Sequence, residues 1–146
     1  IVHALEKLKN EFDFLILLQP TSPLRTGQDI DAAFEKMKAS EATSLISVLE
    51  PEHHPLKSFK QNKEGYLEGI VNDAYPFTPR QELPKTYQPN GAIYIVKTTA
   101  FLEKKSLFTN KTVPYVMTLN NSIDIDTMDD VNKVTAVFRI QSERQD

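Results

Sequence analysis

The sequence contains no cysteine and no tryptophan, only four glycines, and three histidines. Without cysteine there is no disulfide, no thiolate nucleophile and no zinc site of the thiolate type. His53 and His54 are adjacent and would face opposite ways in an extended segment, so the histidines form no metal-binding cluster. Excess positive charge is also lacking: 17 Lys and Arg against 20 Asp and Glu give a formal net charge of −3, with no basic run to neutralise a phosphate backbone. Nucleic acid is therefore not an expected partner. No apolar run approaches the ~18 residues that cross a bilayer, and the opening residues lack the basic start and long apolar core of a signal peptide, so a cytoplasmic chain is expected. The chain does not begin with Met, which suggests a piece of a longer polypeptide.

The 146 residues, 40% hydrophobic and 25% charged, suffice for one buried core. Ile1, Leu5 and Leu8 recur at helical spacing. Phe14 to Leu18 is continuously apolar and too short for a typical helix, the pattern of a central, parallel strand covered on both faces. The two prolines of Gln19 to Arg25 require a loop. Thr26 then precedes Ile30, Ala33, Phe34 and Met37 at helical spacing, with Asp29 placed as a capping-box partner. Ser44 to Leu49 reads as a second strand, which predicts a strand, helix, strand crossover and a mainly parallel α/β sheet. Pro51 to Pro89 is proline-rich and lacks helical period; it is expected to leave the sheet as short hairpin-like strands. Strands at Gly91 to Val96 and Val113 to Met117, a short helix over Thr98 to Lys104 and a last helix capped by Thr127 complete the prediction. Val131, Val134 and Phe138 supply that helix's apolar stripe.

Ligands of open α/β sheets bind beyond the carboxyl ends of parallel strands, where the loop Gln19 to Arg25 should lie. It offers an amide at Gln19, hydroxyls at Thr21 and Ser22 and a guanidinium at Arg25; a stiff turn with capping hydroxyls accounts for the same residues. Asp124 and Asp126 alternate with Ile123 and Ile125, so an extended backbone would put both carboxylates on one face, about 6 to 7 Å apart at Cα. That suits Mg²⁺, which takes one or two carboxylates plus water and phosphate. Equally, two acids before a helix favour its positive N-terminus. Arg80 and Lys57 could each meet a carboxylate or act as solvated surface cations. Asn90 could bind a ligand or shape a turn, and Tyr94 has core packing as its default.

Leu18 to Arg25 (LQPTSPLR), Ser44 to Val48 (SLISV), Arg80 to Pro84 (RQELP), Asn90 to Ile95 (NGAIYI) and Ile123 to Asp126 (IDID) occur in an order that resembles the acylneuraminate cytidylyltransferases, above all the capsule-forming bacterial members. The resemblance implies a three-layer, Rossmann-like nucleotidyltransferase fold and transfer of CMP from CTP to the anomeric hydroxyl of sialic acid, with release of pyrophosphate. Residue by residue, it implies that Asp124 and Asp126 hold Mg²⁺. Gln19, Thr21 and Ser22 would contact the sugar, with Arg25 in the same loop and Asn90 and Tyr94 in the sugar pocket. Lys57 and Arg80 would meet carboxylate or phosphate charge. Pro51 to Pro89 resembles the family's dimerisation arm, so a homodimer is implied, with Lys57 and Arg80 acting in trans. The family's opening strand and Gly-containing basic loop, which cradle the triphosphate, have no counterpart here. The chain alone is therefore expected to lack useful turnover, the nucleotide half being supplied by another segment or chain. Pseudaminic or legionaminic acid as substrate, and a non-catalytic dimerising module, are the alternatives.

Overall fold

The structure is a computed structural model that describes residues 1–8 and 12–143. It contains helices α1 (Val2–Lys7), α2 (Gly27–Lys38), α3 (Thr98–Lys104) and α4 (Met128–Ser142). Its strands are β1 (Phe14–Leu17), β2 (Ser44–Leu49), β3 (Phe59–Gln61), β4 (Leu67–Gly69), β5 (Gln88–Lys97) and β6 (Thr112–Val116). The chain divides into two compact units, one made of Ile1–Leu49 with Pro89–Asp146 and the other of Glu50–Gln88.

The first unit is built on a four-stranded sheet in the order β1-β5-β2-β6. β2 and β6 run parallel, Leu45 opposite Val113 and Val48 opposite Val116. β1 and β5 run antiparallel, Leu15 opposite Val96 and Leu17 opposite Tyr94. The fold is therefore α/β with a mixed sheet, which corrects the mainly parallel expectation. β1 is not central either: it lies at one end of the strand order, with Ile16 exposed. A continuous apolar run reports burial and says nothing of pairing direction, and here β5 is the strand buried on both faces. Ala92, Ile93 and Ile95 join Ala33, Met37 and Leu45 in the main core, while Val96 packs with Leu5 and Phe101 in a second cluster.

α2 starts where its sequence dictates. The Thr26 hydroxyl accepts from the Asp29 amide at 3.1 Å, and the Asp29 carboxylate accepts from the Thr26 amide at 2.9 Å, a reciprocal box that satisfies two end donors. Thr127 and Asp130 repeat the device at α4. In α4 only Val134 of the anticipated stripe is buried; Val131 is half-buried and Phe138 exposed. The second unit carries the β3–β4 hairpin and three 3₁₀ turns.

Candidate functional site

In the first unit, the loop after β1 and the segment before α4 are joined by backbone and side chains. Arg25 Nη1 donates to the carbonyls of Gln19 and Ser22, at 2.5 and 2.7 Å, and so staples the loop that two prolines already stiffen. The Ile125 amide donates to the Thr21 carbonyl at 2.8 Å. The Ser22 hydroxyl, fully buried, donates to the Asn90 carbonyl at 3.2 Å and to Asp124 Oδ1 at 3.4 Å.

Beside them Gly91 adopts φ +76°, a conformation that side chains disfavour. A Cβ there would stand 2.3 Å from Gln19 Oε1 and 3.0 Å from Ser22 Oγ, so the absent side chain is what admits Gln19. Tyr94 lies close enough to Asp124 for the two to interact electrostatically. Burial first, and then the Asp124 charge, push its phenol above the ordinary tyrosine value. Gln19, Ser22, Tyr94 and Asp124 are thus brought together.

The Ile123 to Asp126 segment lies outside any strand, between the Leu119–Ser122 turn and α4. Asp124 is half-buried, Asp126 exposed. None of the ion pairs among the described residues includes either acid. No group of three or more His, Asp or Glu able to hold a metal occurs among those residues. Asp124 and Asp126, without a cationic partner among the described residues, are the carboxylates that could hold a metal, and so small a set would suit Mg²⁺, which takes one or two carboxylates plus water and phosphate, better than a metal that needs a protein cage.

The other residues singled out in the sequence have defined partners. Asn90 is buried and its amide is fully engaged, accepting from Ser47 Oγ at 2.6 Å and donating to Ser122 Oγ at 2.8 Å. Lys57 and Arg80 belong to the second unit. There Lys57 Nζ donates to the Thr78 carbonyl at 3.0 Å, and the Arg80 fork donates to the carbonyls of Glu52 and Pro51 at 2.8 and 2.9 Å. Next to that fork, His54 is buried, with Nε2 3.0 Å from the Pro84 carbonyl and Nδ1 accepting from the Leu56 amide. Arg80, His54, Leu83 and Lys85 line a cavity of about 240 Å³. Sequence reasoning missed Ser47, inside the apolar strand β2, and Ser122, at the end of the Leu119–Ser122 turn, because a lone serine carries no signal until its partner is known.

No family model matches the chain. An N-acylneuraminate cytidylyltransferase of Streptococcus agalactiae is 38% identical over 115 residues, covering 79% of this chain and 28% of that protein. A CMP-N,N'-diacetyllegionaminic acid synthase of Legionella pneumophila is 32% identical over 119 residues, covering 80% of this chain and 50% of that one. The chain therefore spans no more than half the length of these two curated relatives. Among solved structures, 4-diphosphocytidyl-2C-methyl-D-erythritol synthase from Anaerococcus prevotii shares the fold, with a TM-score of 0.63 over 96% of this chain and 64% of that one, at 12% identity. Across the stretch matched by its relatives, the chain belongs to the N-acylneuraminate cytidylyltransferase family.

Proposed function

We propose that the chain carries the metal-binding and sugar-binding part of an enzyme that transfers CMP from CTP to a nonulosonic acid, N-acetylneuraminic acid before pseudaminic or legionaminic acid. The observation that carries this reading is Asp124: a half-buried carboxylate without a cationic partner, held by Ser22 and flanked by Tyr94. In the reaction the anomeric hydroxyl oxygen bonds to the α-phosphorus and its proton passes to water, while the α–β phosphoanhydride bond breaks, so negative charge builds on phosphate oxygens and leaves with pyrophosphate. Asp124 and Asp126 would hold Mg²⁺, which supplies charge neutralisation there. No side-chain nucleophile is needed. Gln19, aimed over Gly91, and the Tyr94 hydroxyl offer hydrogen bonds to the sugar.

The second unit exposes Phe77, Tyr66 and Leu67 at 79, 72 and 69%, together with Phe59, which meets Phe77 edge to face. So much aromatic surface on 39 residues (50 to 88) favours self-association of this unit with a second copy. Lys57 and Arg80 keep further N–H groups beyond those on backbone carbonyls, and these suit a carboxylate.

The test is Mg²⁺-dependent release of pyrophosphate from CTP with each of the three sugars. The chain is assayed alone and with the N-terminal segment of a relative added in trans. The expectation is silence alone and restored turnover on complementation, fastest with N-acetylneuraminic acid and abolished by Asp124→Asn. Complemented turnover that survives Asp124→Asn would overturn the assignment. Light scattering of wild type against Phe77→Asp reads the association.

A further inference from the structure

A chain of buried hydrogen bonds runs from the centre of the sheet to the segment that carries Asp124. The Ile93 amide donates to Ser47 Oγ at 2.7 Å, and Ser47 Oγ donates to Asn90 Oδ1 at 2.6 Å. Asn90 Nδ2 donates to Ser122 Oγ at 2.8 Å and, more weakly, to Met117 Sδ at 3.3 Å. Ser122 Oγ donates onward to the Thr118 carbonyl at 2.7 Å. Asn90 Oδ1 also accepts from the Ala92 amide at 3.3 Å. Each side-chain proton in this series has an acceptor, and Ser47, Asn90 and Ser122 are all buried. In a low-dielectric interior such a series is polarised in one direction and fixes the geometry of every member.

Its two ends bear on one residue. Ser122 stands two positions before Asp124, and its bond to Thr118 closes the Leu119–Ser122 turn from which the segment emerges. The Asn90 carbonyl receives the hydroxyl of Ser22, whose proton is shared with Asp124 Oδ1. One residue past Asp124, the Ile125 amide is tied to Thr21. An Asn90 amide so occupied has no hydrogen left for a sugar.

We propose that Asn90, with Ser47 and Ser122, is a positioning residue for the Asp124 carboxylate and not a substrate contact. This rests on the reading of Asp124 as a metal ligand; outer groups that orient such ligands are a general requirement of metal sites. Asn90 is suited to the task because its planar amide presents one acceptor and one donor in opposite senses. Aspartate keeps the acceptor and loses the donor; leucine of similar size loses both.

The test is hydrogen exchange of the Ile125 amide in the full chain, with the Met117 amide, bonded to the Val48 carbonyl, as internal reference. In Ser122→Ala, which removes one hydroxyl, Ile125 should exchange on the order of tenfold faster while Met117 is unchanged, and Ser122→Thr should restore it. Asn90→Asp should do the same where it folds. Ile125 exchange that is unaltered, or that accelerates together with Met117, would overturn the proposal. Line broadening by Mn²⁺ around residue 124 tests the reading beneath it. Broadening that persists in Asp124→Asn refutes the metal assignment. Broadening that vanishes there but keeps its wild-type midpoint in Ser122→Ala refutes the positioning role alone.

Discussion

Replacing Gly91 by Ala perturbs the site at a single methyl group, and Gly65 provides the matched control. Both glycines have positive φ, +76° and +91°. A side chain in that region costs roughly 1–2 kcal/mol, and about 0.4–1 kcal/mol is recovered by stiffening the unfolded chain, for a net loss near ~1 kcal/mol at each. At Gly65 nothing more is expected, because the nearest atom to the new Cβ is Gln61 Nε2 at 3.9 Å. At Gly91 the methyl group would lie 2.3 Å from Gln19 Oε1 and 3.0 Å from Ser22 Oγ. Gln19 is half-buried and its side chain can swing outward at little cost to folding. Ser22 is enclosed and tied, so it must give by a few tenths of an ångström. Gly65→Ala should therefore lower Tm by about 2–4 °C and Gly91→Ala by slightly more. The decisive readout is the Gln19 side-chain amide resonance, which should move in Gly91→Ala and stay fixed in Gly65→Ala. An unmoved Gln19 amide in Gly91→Ala would refute the argument that this glycine exists to admit it.

Arg25→Ala should loosen the loop after β1, since two charge-assisted bonds from Nη1 to carbonyls are lost; about 1–3 kcal/mol by urea unfolding is expected. The Tyr94 phenol is raised, so the stability it confers is present below the ordinary tyrosine pKa and is lost as pH climbs through the folded value. Absorbance titration should show two tyrosines ionising late, Tyr94 and Tyr115, the second raised by burial and by Asp29; Asp124→Asn should bring only the Tyr94 step earlier, without normalising it, because burial is the larger cause. Thr26→Ala removes the α2 cap and should cost ~1 kcal/mol in the same urea assay while leaving the Ile125 amide untouched. In the second unit, Arg80→Ala should speed proteolysis between residues 50 and 88 with no ligand present, as the carbonyls of Pro51 and Glu52 lose their donors; unchanged protection would mean that the guanidinium is not a staple.

What the sequence discloses about this fold depends on how local each determinant is. α2 and its capping box are legible because Thr26 and Asp29 are three residues apart, and the box forms whatever the sheet does. The helix at Thr98–Lys104 and the strand at Ser44–Leu49 follow from period and composition in the same way. Strand direction is not local. Phe14–Leu17 shows the apolar run of a buried strand, yet its antiparallel partner β5 lies some eighty residues on, and no periodicity encodes that pairing.

The site divides along the same line. Asp124 and the Gln19 to Arg25 loop stand out in sequence as candidates, each beside a plain alternative, a helix N-terminus for the acid and a stiff turn for the loop; what the structure adds is that Ser22 of the loop reaches Asp124. The partners of Asn90 are not legible, because its amide is engaged by Ser47, 43 positions earlier, and Ser122, 32 positions later. A polar residue inside an apolar strand poses one question in sequence, ligand or core, and it has a physical answer only when its hydrogens are counted. At Asn90 the count leaves none over, whereas none of the ion pairs among the described residues includes Asp124; on the proposed reading, that difference separates a residue that would hold the site from one that the site would use.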